Sequence, residues 1–116
     1  MQTTENPLGN IFDLTGISSV GGEVFEELMK GAGFRVERII SKGQTTPEGT
    51  WYDQGWDEWV MVVQGEAILE PEGLEPFTMK AGDYVMLPAH LRHRVVYTTS
   101  DPECIWLAIH SGPEQP

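Results

Sequence analysis

Apolar and polar positions alternate in short runs along most of this chain, and a turn signal closes nearly every run. Residues 34–40 (Phe34-Arg35-Val36-Glu37-Arg38-Ile39-Ile40) change character at almost every step and are rich in strong β formers, so they predict a strand. Further strands are predicted at residues 50–53, 58–64, 67–70, 77–80, 84–87, 94–98 and 104–110. The breaks fall at residues 43–49, Gly55-Trp56-Asp57, Gly65, Pro71-Glu72-Gly73, Ala81-Gly82-Asp83, 88–92 and 100–103, all turn or loop chemistry. Residues 23–30 are ambiguous. Val24, Phe25, Leu28 and Met29 fit one helix face, but Gly31-Ala32-Gly33 reads as a hairpin turn and favours a strand that pairs back on 34–40. Short strands at near-regular spacing, with no repeat and no heptad, predict an all-β jelly roll or barrel.

Composition narrows the function classes. At 116 residues the chain is read as one domain spanning 1–116, with loose ends at 1–10 and 112–116 and a first anchoring point at Ile11-Phe12-Asp13-Leu14. Its 13 glycines and 8 prolines supply the turns. A net charge of −11 with only seven basic residues argues against nucleic acid and anionic membrane surfaces as partners. No apolar run approaches the roughly 20 residues that a membrane helix needs, and no signal core opens the chain, so the cytoplasm is expected. Cys104 is the only cysteine and lies in an apolar run, which makes a buried, inert thiol the expectation.

Two glycine-anchored segments carry the candidate chemistry. The first runs from Tyr52-Asp53-Gln54 through Glu58 to Gly65, and the second from Gly82 through Pro88 and His90 to His93. Together they resemble the two motifs of the cupin superfamily, and the likeness covers residues 34–109. Glu58 and Gly65 keep the usual interval of the first motif, while Tyr52 and Gln54 stand at its two histidine positions. In the second motif His90 stands where glycine is usual and Tyr97 where asparagine is usual. The phrases Val36-Glu37-Arg38-Ile39-Ile40-Ser41 and Trp51-Tyr52-Asp53-Gln54 resemble small single-domain bacterial cupins. The resemblance implies a double-stranded β-helix, a pocket inside it and a homodimer, but no one reaction.

It also implies that Tyr52, Gln54, Glu58 and His93 occupy the four ligand positions. Strand alternation points Tyr52 and Gln54 to one face and turns Asp53 and Trp59 away from it. Glu58 and His93 are good donors for a divalent ion such as Zn, Fe, Mn or Ni, the Gln54 carbonyl is weaker, and a neutral Tyr52 phenol is weaker still. Gln54, Glu58 and His93 are therefore the metal candidates, with Tyr52 and His90 as pocket residues. His90 could swing inward as a ligand or cap the loop at the rim. His110 could reach the pocket mouth or be satisfied at the strand end, and Trp56 is placed near the entrance. Arg92 and Arg94 are expected to pair with surface acids. Three functions stay open: a metal-dependent enzyme that oxygenates, isomerises or hydrolyses a small molecule, a non-catalytic small-molecule-binding barrel, and a structural dimer module.

Overall fold

The computed structural model describes residues 7–17 and 22–112; the expectation of loose ends at 1–6 and 113–116 lies outside them. Eight strands make up the regular structure of the described residues: β1 (Val24–Gly31), β2 (Phe34–Ser41), β3 (Asp57–Gln64), β4 (Glu66–Pro71), β5 (Phe77–Lys80), β6 (Tyr84–Leu87), β7 (His93–Thr98) and β8 (Cys104–Ser111). No helix among them is long and apolar enough to cross a membrane. Residues 23–30 settle as β1, because the Gly31-Ala32-Gly33 turn, with Gly33 at φ 79°, folds them back antiparallel on β2.

The strands form two sheets, of five strands in the order β1-β2-β8-β3-β6 and of three in the order β5-β4-β7. All the ladders are antiparallel. The sheets do not close into a continuous barrel. They face each other, and the core between them is built from Val60, Val62, Ala67, Leu69, Met79, Leu87, Cys104, Trp106 and Ala108. The strand expected at 50–53 is reduced to one bridge, Tyr52↔His93, in which Tyr52 N–H donates to His93 O (2.8 Å) and His93 N–H to Tyr52 O (3.1 Å). Upstream, Thr46 N–H donates to Val95 O, so this irregular segment still runs along the β7 edge.

Register sorts the five-stranded sheet into two faces. Residues paired across strands share a face. Thus Arg35, His110, Glu58 and Leu87 form one inward row, with Glu37, Ala108 and Val60 beside it. The opposite face carries an apolar row across all five strands: Met29, Val36, Ile109, Trp59 and Met86. Outside the same face, the Arg38 guanidinium pairs with Glu26 and donates to the carbonyls of Ile11 (3.0 Å) and Asp13 (2.7 Å). That clamp ties the backbone of residues 11–13 to β2.

Candidate functional site

A cavity of about 310 Å³ lies between the sheets, lined by both polar and apolar side chains. Its floor includes Ile39, Val60, Leu69, Leu87 and Trp106. The polar end is assembled from both sheets and the irregular 44–54 segment. β3 supplies Glu58 at its second residue, β7 supplies His93 at its first, and the 52–54 stretch adds Tyr52 and Gln54.

Glu58 and His93 are buried to side-chain exposures of 9% and 6%, and His93 Nε2 faces Glu58 Oε1 across 4.0 Å. His93 Nδ1 lies 3.0 Å from the Leu91 carbonyl. A carbonyl only accepts, so Nδ1 carries a hydrogen and the ring turns its Nε2 edge toward the carboxylate. Tyr52 stacks on the His93 ring, with centroids 5.6 Å apart. Burial raises the Tyr52 phenol above its ordinary value, with the Glu23 and Glu58 carboxylates adding to the rise and a Thr46 hydrogen bond opposing it, so the phenol stays protonated near neutrality.

Glu37 and His110, which line the same cavity, belong to a second polar chain. The Trp56 indole N–H donates to His110 Nδ1 (2.8 Å), and His110 Nε2 lies 2.9 Å from Glu37 Oε1. Indole nitrogen only donates, so Nδ1 holds the lone pair and Nε2–H donates to Glu37. His110 is buried and has both nitrogens committed, not merely satisfied at a strand end by backbone or water. Trp56, expected near the entrance, is not among the residues lining the cavity and touches it only through His110. Glu37 was missed. The signal was there: alternation puts this carboxylate in phase with Arg35 and Ile39 on one face of the strand.

His90, expected as a pocket residue, is not among those lining the cavity and stands at the rim. Its side chain is 74% exposed and lies 3.0 Å from Asp53 Oδ1. Its φ of 66° is the left-handed conformation that explains why glycine suits this position, and it fixes the ring outside. Asp53 is accordingly at the surface, paired with His90. Arg92 pairs with Glu72 and Arg94 with Glu70, both beside the Trp51 ring, as the surface reading expects. Cys104 is fully buried, and burial pushes its thiol up to about 12.

For a divalent ion the strong donors that converge are Glu58 and His93; among the described residues no group of three or more His, Cys, Asp or Glu side chains does so. His110 has no lone pair to offer, and Gln54 and Tyr52 are neutral. This donor set fits a loosely held ion bound by Glu58 and His93, with the Gln54 amide oxygen as the available third donor.

Two facing antiparallel sheets with a polar pocket mouth define a small double-stranded β-helix protein. The chain belongs to the cupin family, matching its Cupin domain over residues 36–110. Among solved structures it is similar to a Ralstonia eutropha JMP134 protein provisionally assigned as a mannose-6-phosphate isomerase, at 44% identity over 90% of this chain and 97% of that one, with a TM-score of 0.84. An RmlC-like cupin with a double-stranded β-helix fold from Methanocaldococcus jannaschii shares 19% identity over 90% and 94% of the two chains (TM-score 0.66). A cupin superfamily protein from Desulfitobacterium hafniense DCB-2 shares 17% over 77% and 76% (TM-score 0.65). These last two show likeness of fold alone. A comparison with functionally curated proteins finds no match.

Proposed function

We propose that this cupin acts on a small organic molecule held in the intersheet cavity, with Glu58 and His93 as the groups that touch it. The observation that carries this reading is a buried carboxylate and an imidazole nitrogen facing each other across 4.0 Å in the cavity wall. A carboxylate and an imidazole so placed pass a proton to or from a bound molecule. Tyr52, held as a phenol, is a proton donor beside them. Together they form an acid–base set suited to moving a proton on a bound molecule, as isomerisation requires.

A divalent ion is the other guest this pair favours, and when bound it would polarise a ligand oxygen as a Lewis acid. With two strong donors it would exchange freely with chelators. The phosphosugar activity assigned to the Ralstonia protein suits this cavity poorly. Glu23, Glu37 and Glu58 line it against a single guanidinium, Arg35, which disfavours a phosphate. The alternative is binding without turnover, favoured by the thin donor set. We further place the chain in the cytoplasm as a homodimer joined through the apolar outer row, with neither nucleic acid nor membrane as a partner.

Thermal stability measured with a chelator, with Zn, Mn, Ni or Fe(II), and with a panel of small ligands tests the site. Glu58→Gln and His93→Gln should each abolish the stabilisation that wild type gains. Equal stabilisation of wild type and both variants would remove the site from this pocket. Turnover of a stabilising ligand by wild type separates enzyme from binding protein.

A further inference from the structure

Tyr52 and Gln54 reach the cavity from a segment that no ladder holds. Residues 44–46 are tied to β7, where Thr46 N–H donates to Val95 O and Thr98 Oγ1–H to Gln44 O. The chain then leaves the sheet in the turn closed by Thr50 N–H to Pro47 O. It returns through the one Tyr52–His93 bridge, and beyond it His90 N–H donates to Gln54 O. A bridge at the end of a loop opens easily unless side chains close it from outside.

Trp51 supplies that closure. Its neighbour Tyr52 lines the cavity, whereas the Trp51 ring lies outside, against the guanidinium groups of Arg94 at 4.8 Å and Arg92 at 5.7 Å. His93 and Val95 line the cavity, so Arg94 between them points to the outer side of the three-stranded sheet. Both cations are themselves fixed by acids of β4 and the turn after it. Arg94 Nε–H donates to Glu70 Oε1 (2.6 Å), and Arg92 Nη1 lies 3.1 Å from Glu72 Oε2. An indole face is the best aromatic partner for a guanidinium, and the contact is stronger where water is excluded. Arg94, nearer the ring and 28% exposed against 45% for Arg92, is therefore the stronger grip. We infer that Trp51 is a positioning residue of the pocket: the two arginines grip its indole outside the sheet and so hold Tyr52 and Gln54 in the cavity wall. It touches no ligand itself. This inference rests on the reading that the cavity is the functional site.

Amide hydrogen exchange followed by NMR on the full chain tests this without a ligand. In Trp51→Ala the Tyr52 and His93 amides should lose about tenfold or more of their protection, while the core amides of β8 keep theirs. The Tyr52 ring protons, shifted by the His93 ring stacked on them, should move toward their values in an unfolded chain. Trp51→Phe keeps an aromatic face and should restore most of the protection. Trp51→Leu is apolar without one and should restore little. Arg94→Gln should cost more protection at the bridge than Arg92→Gln. In wild type, independently of any variant, nuclear Overhauser contacts should join the Trp51 ring protons to the Arg94 side chain.

Unchanged protection of Tyr52 and His93 in Trp51→Ala overturns the inference. So does an equal loss at every amide of the chain, which marks a general loss of stability. Full protection in Trp51→Leu overturns it too, because packing without the cations would then suffice. If exchange behaves as expected but Glu58→Gln and His93→Gln lose none of their ligand-induced stabilisation, the grip on the segment stands and the site reading alone fails.

Discussion

Cys104 has its thiol at full burial, raised to about 12, with burial the main cause and Glu23 a lesser one. Only the thiolate is nucleophilic, so an aromatic disulfide reagent at pH 8 should leave the native protein unlabelled and modify one thiol once denaturant is added. The same shift has a sign. The unfolded thiol ionises near its ordinary value of 9.0 while the folded one keeps its proton, so stability is fully present below that value and falls as pH rises toward about 12. Cys104→Ala is less stable from lost packing, but its stability should decline less steeply above about pH 9 in alkaline unfolding scans. Much of this scale was legible: alternation put Tyr52 and Gln54 on one face and Asp53 on the other, the family resemblance turned that face inward, and an apolar run marked the thiol as buried. The Trp56–His110–Glu37 chain was not legible, because a period of two assigns a face but no partner. His110 meets Glu37 only because β8 lies between β2 and β3, an order that no local pattern encodes.

At the scale of strands and turns, Gly65 and Gly82 look alike along the chain and differ in the fold. Both have positive φ, 82° and 95°. A Cβ on Gly82 meets nothing within 4 Å, whereas one on Gly65 would stand 2.4 Å from Thr99 Oγ1 and 3.1 Å from the Cys104 Cα and the Glu103 carbonyl. Gly82→Ala should therefore cost about 1–2 kcal/mol of backbone strain. Gly65→Ala should cost about 2–4 kcal/mol, because overpacking adds to the strain. Denaturant unfolding of the two variants side by side measures the difference; equal losses would mean the contact at Gly65 relaxes. Strand existence was readable nearly everywhere from turn spacing. The exception, residues 50–53, failed because Pro47 and Gly49 precede it and Gly55 follows, leaving one bridge to His93 rather than a ladder.

At the scale of the molecule, the outer face of the five-stranded sheet carries exposed apolar side chains that nothing among the described residues covers. Met29, Val36, Ile109, Trp59 and Met86 form one row, with Leu107, Met61 and Tyr84 beside its β8-β3-β6 half. Met29, Tyr84 and Met86 are exposed, at 60%, 67% and 50%, and Tyr84 leans on the Trp59 ring with centroids 5.4 Å apart. Exposed apolar area of this extent is what a partner subunit covers. Light scattering should report twice the chain mass, and the double change Tyr84→Glu with Met86→Glu should shift it to a monomer with little change in the circular dichroism spectrum. A monomeric wild type would refute the homodimer.

That apolar row and the pocket's polar row alternate along the same strands: Val36 follows Arg35, Trp59 follows Glu58 and Ile109 precedes His110. Inserting or deleting a single residue within β3 or β8 would invert both surfaces together, turning acids outward and burying a methionine or indole where the ligand belongs. Length changes are therefore best tolerated at the exposed 72–76 turn, which is the place to graft a tag, a linker or a fluorescent reporter onto this chain.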